Sequence, residues 1–270
     1  MAVILEGGCR VSDMQEGEPF FEGTLRIWRR IGRANGAQAI SMRVMEFAPG
    51  LSPGIRNDDC DEILYVVAAR DELDRAGEEV STTHVSGWVD LSIDGNAHKV
   101  GPDTGIFIRP GETFAVDNPG SDPLTIISCQ CPDPDQNPQF VNILASSTAS
   151  LHSNQLPIVR LADQKAQPAA DRWYRVLVDD EVGSTQATQF VGSIPPGRAP
   201  DHFHNYEEVL FILKGEGRMW AGETNTPIAE GSCIYLPKGQ VHCVENTGKG
   251  ELRLLGVFYP AGSPSVRYDV

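Results

Sequence analysis

Three histidines and one glutamate stand out by type and spacing: His202, His204, His242 and Glu208. Side chains two apart on a strand project to the same side, so His202 and His204 can face one interior together. Glu208 follows on a short connection and opens the apolar run Val209-Leu210-Phe211-Ile212-Leu213. His242 arrives from a different strand, after Pro237-Lys238-Gly239 has turned the chain. Three imidazoles and one carboxylate at these spacings can surround one divalent first-row transition metal. With neutral imidazoles the complex has a net charge of about +1. A six-coordinate ion would keep about two positions open for water, dioxygen or a bidentate substrate. Fe(II) or Mn(II) is favoured, and Ni(II) or Zn(II) would also bind. Ligation without cysteine argues against a purely structural zinc.

Other residues near this set are candidates for chemistry. Leu210 and Ile212 share the phase of Glu208 and are candidates to line a pocket. Tyr206 lies inside the ligand segment and is a candidate catalytic proton donor, or else a packing residue. Arg218 and Trp220 share a face of the next strand. If that face is the interior, Arg218 can hold a carboxylate or enolate by a bidentate pair. If it is the exterior, Arg218 is solvated. Glu207 and Cys243 each sit beside a proposed ligand and face the opposite way by strand alternation.

The elements that must position these residues read as strands. In the second half they fall at 173–178, 186–193, 208–213, 217–221, 232–236, 241–246 and 251–258. In the first half, 25–31 and 38–47 are strands; in the latter Ile40, Met42 and Val44 alternate with Ser41 and Arg43. The phase slips at Met45-Glu46-Phe47, where a bulge is expected. Strands at 87–93 and 124–130 follow. Cys131-Pro132-Asp133-Pro134, with Pro138 beyond it, opens a linker that runs to about residue 157.

The ligand region resembles the cupin superfamily of small β-barrels, which carries two signature motifs. Gly197, His202, His204, Glu208 and Gly215 match the first, with the leading glycine one residue closer than usual. Gly231, Pro237, Gly239, His242 and Asn246 match the second without a gap. The resemblance implies that His202, His204, Glu208 and His242 are the metal ligands. A worn copy of the same pattern precedes it. Glu62 falls on Glu208, Arg56 and Asp58 on the two histidines, and Phe114 on His242, with Pro110, Gly111 and Asn118 completing the second motif. The chain therefore resembles a bicupin: an all-β protein of two tandem cupin (double-stranded β-helix, or jelly-roll) barrels. The expected division is a barrel at 1–131 with a degenerate site, a linker at 132–157 and a metal-binding barrel at 158–270. An Arg56–Glu62 or Arg56–Asp58 ion pair would fill the degenerate site. Residues 68–86 are an insertion in the first copy, with helical turns over 71–77.

Cupins include oxygenases, decarboxylases, isomerases, aminohydrolases and cyclases, so fold does not choose the reaction. The expectation is a metal-dependent dioxygenase acting on a small enol, phenol or carboxylate. The alternatives are a non-redox metal enzyme (decarboxylase, isomerase, cyclase or aminohydrolase) and a non-catalytic small-molecule-binding barrel.

Composition bounds the rest. The 270 residues suffice for two domains of ordinary size. A net charge of −15 without a Lys/Arg cluster excludes a nucleic-acid surface. No stretch has the apolar length of a membrane span, and the N-terminus lacks the basic lead and apolar core of a signal peptide. A soluble cytoplasmic protein is expected. Cys9, Cys60, Cys129, Cys131, Cys233 and Cys243 form no Cys-x-x-Cys pair and read as buried free thiols. The apolar Val3-Ile4-Leu5 run has no evident place in its own barrel, which suggests a homodimer.

Overall fold

The computed structural model describes residues 1–67, 88–142, 156–169 and 171–266. The helical turns expected over 71–77, and part of the linker, lie outside them. The described strands form four sheets, paired antiparallel. Two sheets face each other in each of two barrels. The fold is all-β, two jelly-roll barrels in tandem.

The same strands serve three cores. Leu210 and Ile212, on the strand Glu207–Lys214, point into the second barrel, with Phe190, Leu254 and Phe258. Val209, Phe211 and Leu213 point the other way, against Met42, Val44, Tyr65 and Ile127 of the first barrel. A third core, with Leu64, Ile106, Phe114 and Ile126, fills the first barrel. A strand buried on both faces reads as a continuous apolar run, which explains the sequence 209–213.

The same double burial corrects the bulge expected at Met45-Glu46-Phe47. The strand Ser41–Phe47 is buried along its whole length. It pairs without interruption with Leu124–Cys131. Met42 and Val44 face the second barrel, while Met45 and Phe47 face inward, so apolar residues occupy both phases. The register shift lies instead in Leu25–Ile31, between Arg29 and Ile31.

The barrels exchange strands. Arg10–Asp13, flanked by Val3–Ile4, pairs with Ser232–Leu236 of the second barrel. Leu5, Cys9 and Val11 are buried in that barrel's core. Leu5 therefore has a place within its own chain, whereas Val3 and Ile4, 41% and 68% exposed, leave an apolar pair at the surface. In return, Ile158–Arg160 pairs with Thr104–Ile108 of the first barrel. Part of the expected linker also forms a strand: Gln139–Val141 pairs with Gly54–Arg56. Prolines mark the segment before it as irregular, but three residues suffice to extend an open edge.

Candidate metal centre

His202 precedes, and Glu208 lies within, the segment that enters the second barrel as the strand Glu207–Lys214. His242 begins the strand His242–Asn246. His202 and His242 form a backbone bridge, N–H to carbonyl in both directions, at 3.1 and 2.8 Å. The Gly239 N–H donates to the His204 carbonyl at 2.8 Å, which ties the second motif's turn to the first motif. Gly239 has φ +77°, a conformation that side-chain-bearing residues rarely adopt. Gly215, at φ +89°, ends the ligand strand where a Cβ would lie 2.9 Å from the Glu251 carbonyl oxygen. Asn246 closes the motif by donating its amide to the Ile194 and Gly250 carbonyls, both at 2.8 Å.

These constraints bring the three imidazoles together, with ligand atoms all within 4.8 Å of one another. Glu208 Oε2 lies 3.7 Å from His204 Nε2 and 3.6 Å from His242 Nε2. The donor set fits a divalent cation in two respects. His202 Nδ1 faces the Pro200 carbonyl at 3.0 Å and His242 Nδ1 the Gln240 carbonyl at 2.8 Å. A carbonyl only accepts, so each Nδ1 carries the proton and each Nε2 keeps its lone pair for a ligand. Second, Glu208 Oε2 is buried without a hydrogen-bond partner, a cost that a cation at this point removes. Burial pushes the Glu208 carboxyl up to about 8 and the His242 imidazole down to about 3. Burial alone thus favours the uncharged form of both groups, and a cation would reverse that for Glu208.

The four residues open onto a cavity of about 110 Å³ with mainly apolar walls, among them Phe190, Leu210, Leu254 and Phe258. Leu210 lines it as its phase predicts; Ile212 is core. Arg172 also lines the cavity, on the same face of Arg172–Val178 as the inward-facing Tyr174. Its side chain is 16% exposed, and its Nε donates to the solvent-facing Asp171 at 3.0 Å. Arg172 was not singled out in the sequence; its phase with Tyr174 was the available signal.

The two expected catalytic side chains lie elsewhere. Arg218 points outward and donates to Asn225 Oδ1 at 2.8 Å, because Met219 and Ala221 take the interior positions of that strand. Tyr206 stacks on the His204 ring, centroids 5.0 Å apart and planes 10° from parallel. Its hydroxyl donates to the Ser263 carbonyl at 3.2 Å, so it backs His204 rather than lining the cavity. Glu207 and Cys243 face away from the site. Cys243 Sγ accepts from Arg198 Nε at 3.2 Å.

The first barrel repeats the frame with other contents. Phe114 pairs with Ile55 as His242 does with His202. Gly111 N–H donates to the Asn57 carbonyl at 2.7 Å as Gly239 does to His204. Ile55 and Asn57, not Arg56 and Asp58, thus stand in the histidine positions. The loop before Glu62 is one residue longer than that before Glu208, and a one-residue slip inverts the phase. Arg56 and Asp58 pair with each other at 2.7 Å near the surface. Glu62 is held by Arg43, Asn57 and Ser128, all buried. Arg43 stands where the second barrel has Phe190, each facing the closing strand at Ser128 and Gly256 respectively. A guanidinium supplies the positive charge beside the glutamate.

A model of the Cupin domain family matches residues 190–258. An uncharacterized protein of Aquifex aeolicus is 33% identical over 86 residues, which make up 31% of this chain and 69% of that one. The chain is a member of the cupin superfamily. Another cupin relative, the oxalate-binding protein of Thermotoga maritima, is 36% identical over 66 residues, 24% of this chain and 54% of that protein. The matches span between 35% and 69% of the relatives' own lengths. Among solved structures, the oxalate decarboxylase of Bacillus subtilis superposes with a TM-score of 0.71 at 12% identity, over 94% of this chain and 77% of that one. That likeness is one of fold, and it spans both barrels.

Proposed function

We propose that the second barrel is a metal-dependent enzyme site, with His202, His204, Glu208 and His242 as ligands of one divalent ion, Fe(II) or Mn(II) in preference to Ni(II) or Zn(II). The substrate is a small molecule that bears a carboxylate. The convergence of three histidines and a buried, unbonded carboxylate oxygen on one cavity carries this reading. The bound metal supplies open coordination positions for a chelating substrate. Arg172 receives the substrate's negative charge, and the aromatic and aliphatic walls exclude water from it. The reaction that asks least of these walls is dioxygenation, because Glu208 is the only carboxylate among the described lining residues. A decarboxylation that returns a proton to carbon asks for a further acid.

Decarboxylation is the second reading. It is favoured by the similarity to oxalate decarboxylase in fold and to an oxalate-binding protein in sequence. The test is turnover of a panel of small carboxylic acids, oxalate included, by Fe(II)- and Mn(II)-loaded protein with and without dioxygen. Dioxygenation predicts stoichiometric oxygen consumption and no turnover under argon. Carbon dioxide released without net oxygen uptake selects the second reading. Failure of every metal-loaded form on every acid overturns both. Arg172→Gln is expected to raise KM about tenfold or more with little change in kcat, since a charge-assisted contact made equally in ground and transition states is lost.

A further inference from the structure

We propose that Glu207 is a positioning residue for the metal centre, and that through it the first barrel sets the pose of Glu208. The inference rests on the reading of Glu208 as a ligand. Neighbouring strand residues face opposite ways, so Glu208 enters the second barrel while Glu207 leaves it. Glu207 is 6% exposed, a depth at which a carboxylate needs several donors. It has four. Its Oε1 accepts from the Gln38 N–H at 2.8 Å and from the Tyr235 hydroxyl. Its Oε2 accepts from the N–H groups of Ala39 at 2.7 Å and Ile40 at 3.1 Å. Three consecutive backbone N–H groups of the first barrel thus converge on one carboxylate of the second, as in an anion nest.

The nest is fixed from behind. The Asp133 N–H donates to the Ala39 carbonyl at 2.7 Å, and the Asp133 carboxylate accepts from Arg29 at 2.8 Å and from the Arg33 N–H at 3.0 Å. The strand Ser41–Phe47 begins one residue later, so the nest is anchored to the first barrel's own sheet. On the other side, Glu207 is the first residue of the ligand strand, at the junction with the His202–His204 segment. Glu208 Oε2 has no hydrogen-bond partner to orient it, so its direction depends on where the backbone at 207–208 is held. Glu207 is the side chain that ties that backbone to the other barrel.

The test uses the full chain and Co(II), whose visible absorption reports ligand number and symmetry. In Glu207→Gln an amide N–H faces N–H donors, so the nest cannot close. Co(II) affinity, measured against a competing chelator, is expected to fall roughly tenfold or more, the scale seen when ligand-orienting contacts are lost. The absorption bands should shift as well. Phe211→Leu, on the same strand and the same inter-barrel face, lowers stability without touching the nest and should leave affinity and bands unchanged. Glu207→Asp, which keeps the charge but shortens the reach, should fall between wild type and Glu207→Gln, and stands in if Gln does not fold. Wild-type affinity and bands in Glu207→Gln, or equal changes in Phe211→Leu, overturn the proposal while leaving the metal site itself standing. A wild-type chain that takes up no Co(II) overturns both.

Discussion

Replacing either buried imidazole, His204→Ala or His242→Ala, is expected to reduce metal content from about one ion per chain to near none, while circular dichroism shows the barrels still folded. Elemental analysis after gentle purification checks this. Undiminished loading in both variants, or two ions per wild-type chain, would refute the ligand set. In the first barrel the corresponding experiment is on stability. Arg43 and Glu62 are 3% and 1% exposed. Arg43→Met leaves a buried carboxylate without its cation and should cost about 3–5 kcal/mol by urea denaturation. The double variant Arg43→Met/Glu62→Leu should recover most of that loss. The clustering of His202, His204 and His242 beside Glu208 was legible because both motifs keep their spacing. Arg43 was not legible: on an alternating strand a charged residue reads as solvent-facing, and its partner is remote in sequence. Asn57 was hidden by one extra loop residue, which shifted Arg56 and Asp58 into apparent register with the histidines.

Many strands with one or both faces apolar were legible, although Thr104–Ile108, buried along its whole length, was not read as one. Ser232–Leu236 and Leu25–Ile31 have the bounds that the pattern gives. Thr224–Ala229 was missed because Pro227 and four polar or small residues mask it; it lies at the edge of its sheet, where a proline is tolerated. The N-terminal strands were illegible for a different reason. Arg10–Asp13 is short, and its partner lies in the other barrel. Deleting residues 1–13 removes Leu5 and Val11 from the second barrel's core, and should destabilise it by about 3 kcal/mol or more from apolar burial alone. A two-step denaturation curve, with the second barrel melting first, is the expected readout. The opposite result, an unchanged midpoint with a change only in oligomeric mass, would support the dimer interpretation of this segment. All six thiols are buried, and burial raises Cys9, Cys60 and Cys233 each to about 12. A thiol reagent at pH 8 should therefore react slowly with the native chain and with six groups after guanidinium is added.

At the scale of the whole molecule, one barrel holds the candidate metal site and the other the buried Arg43–Glu62 pair in the corresponding place. Anomalous diffraction from a metal-loaded crystal should show density at the histidines and none beside Glu62. The tandem arrangement and the site's place in the second copy were legible from the internal repeat. How the copies hold each other was not, because an exchange of strands leaves no periodic signature. That exchange has a consequence for biosynthesis. The partner of Arg10–Asp13 is Ser232–Leu236, nearly the whole chain away. Arg10–Asp13 must therefore remain undocked until Ser232–Leu236 has left the ribosome, and closing so long a loop is slow. During that interval the N-terminus is exposed to proteases and holdase chaperones. A nascent chain truncated before residue 232 should lose its N-terminal segment to limited proteolysis, whereas the completed chain keeps it.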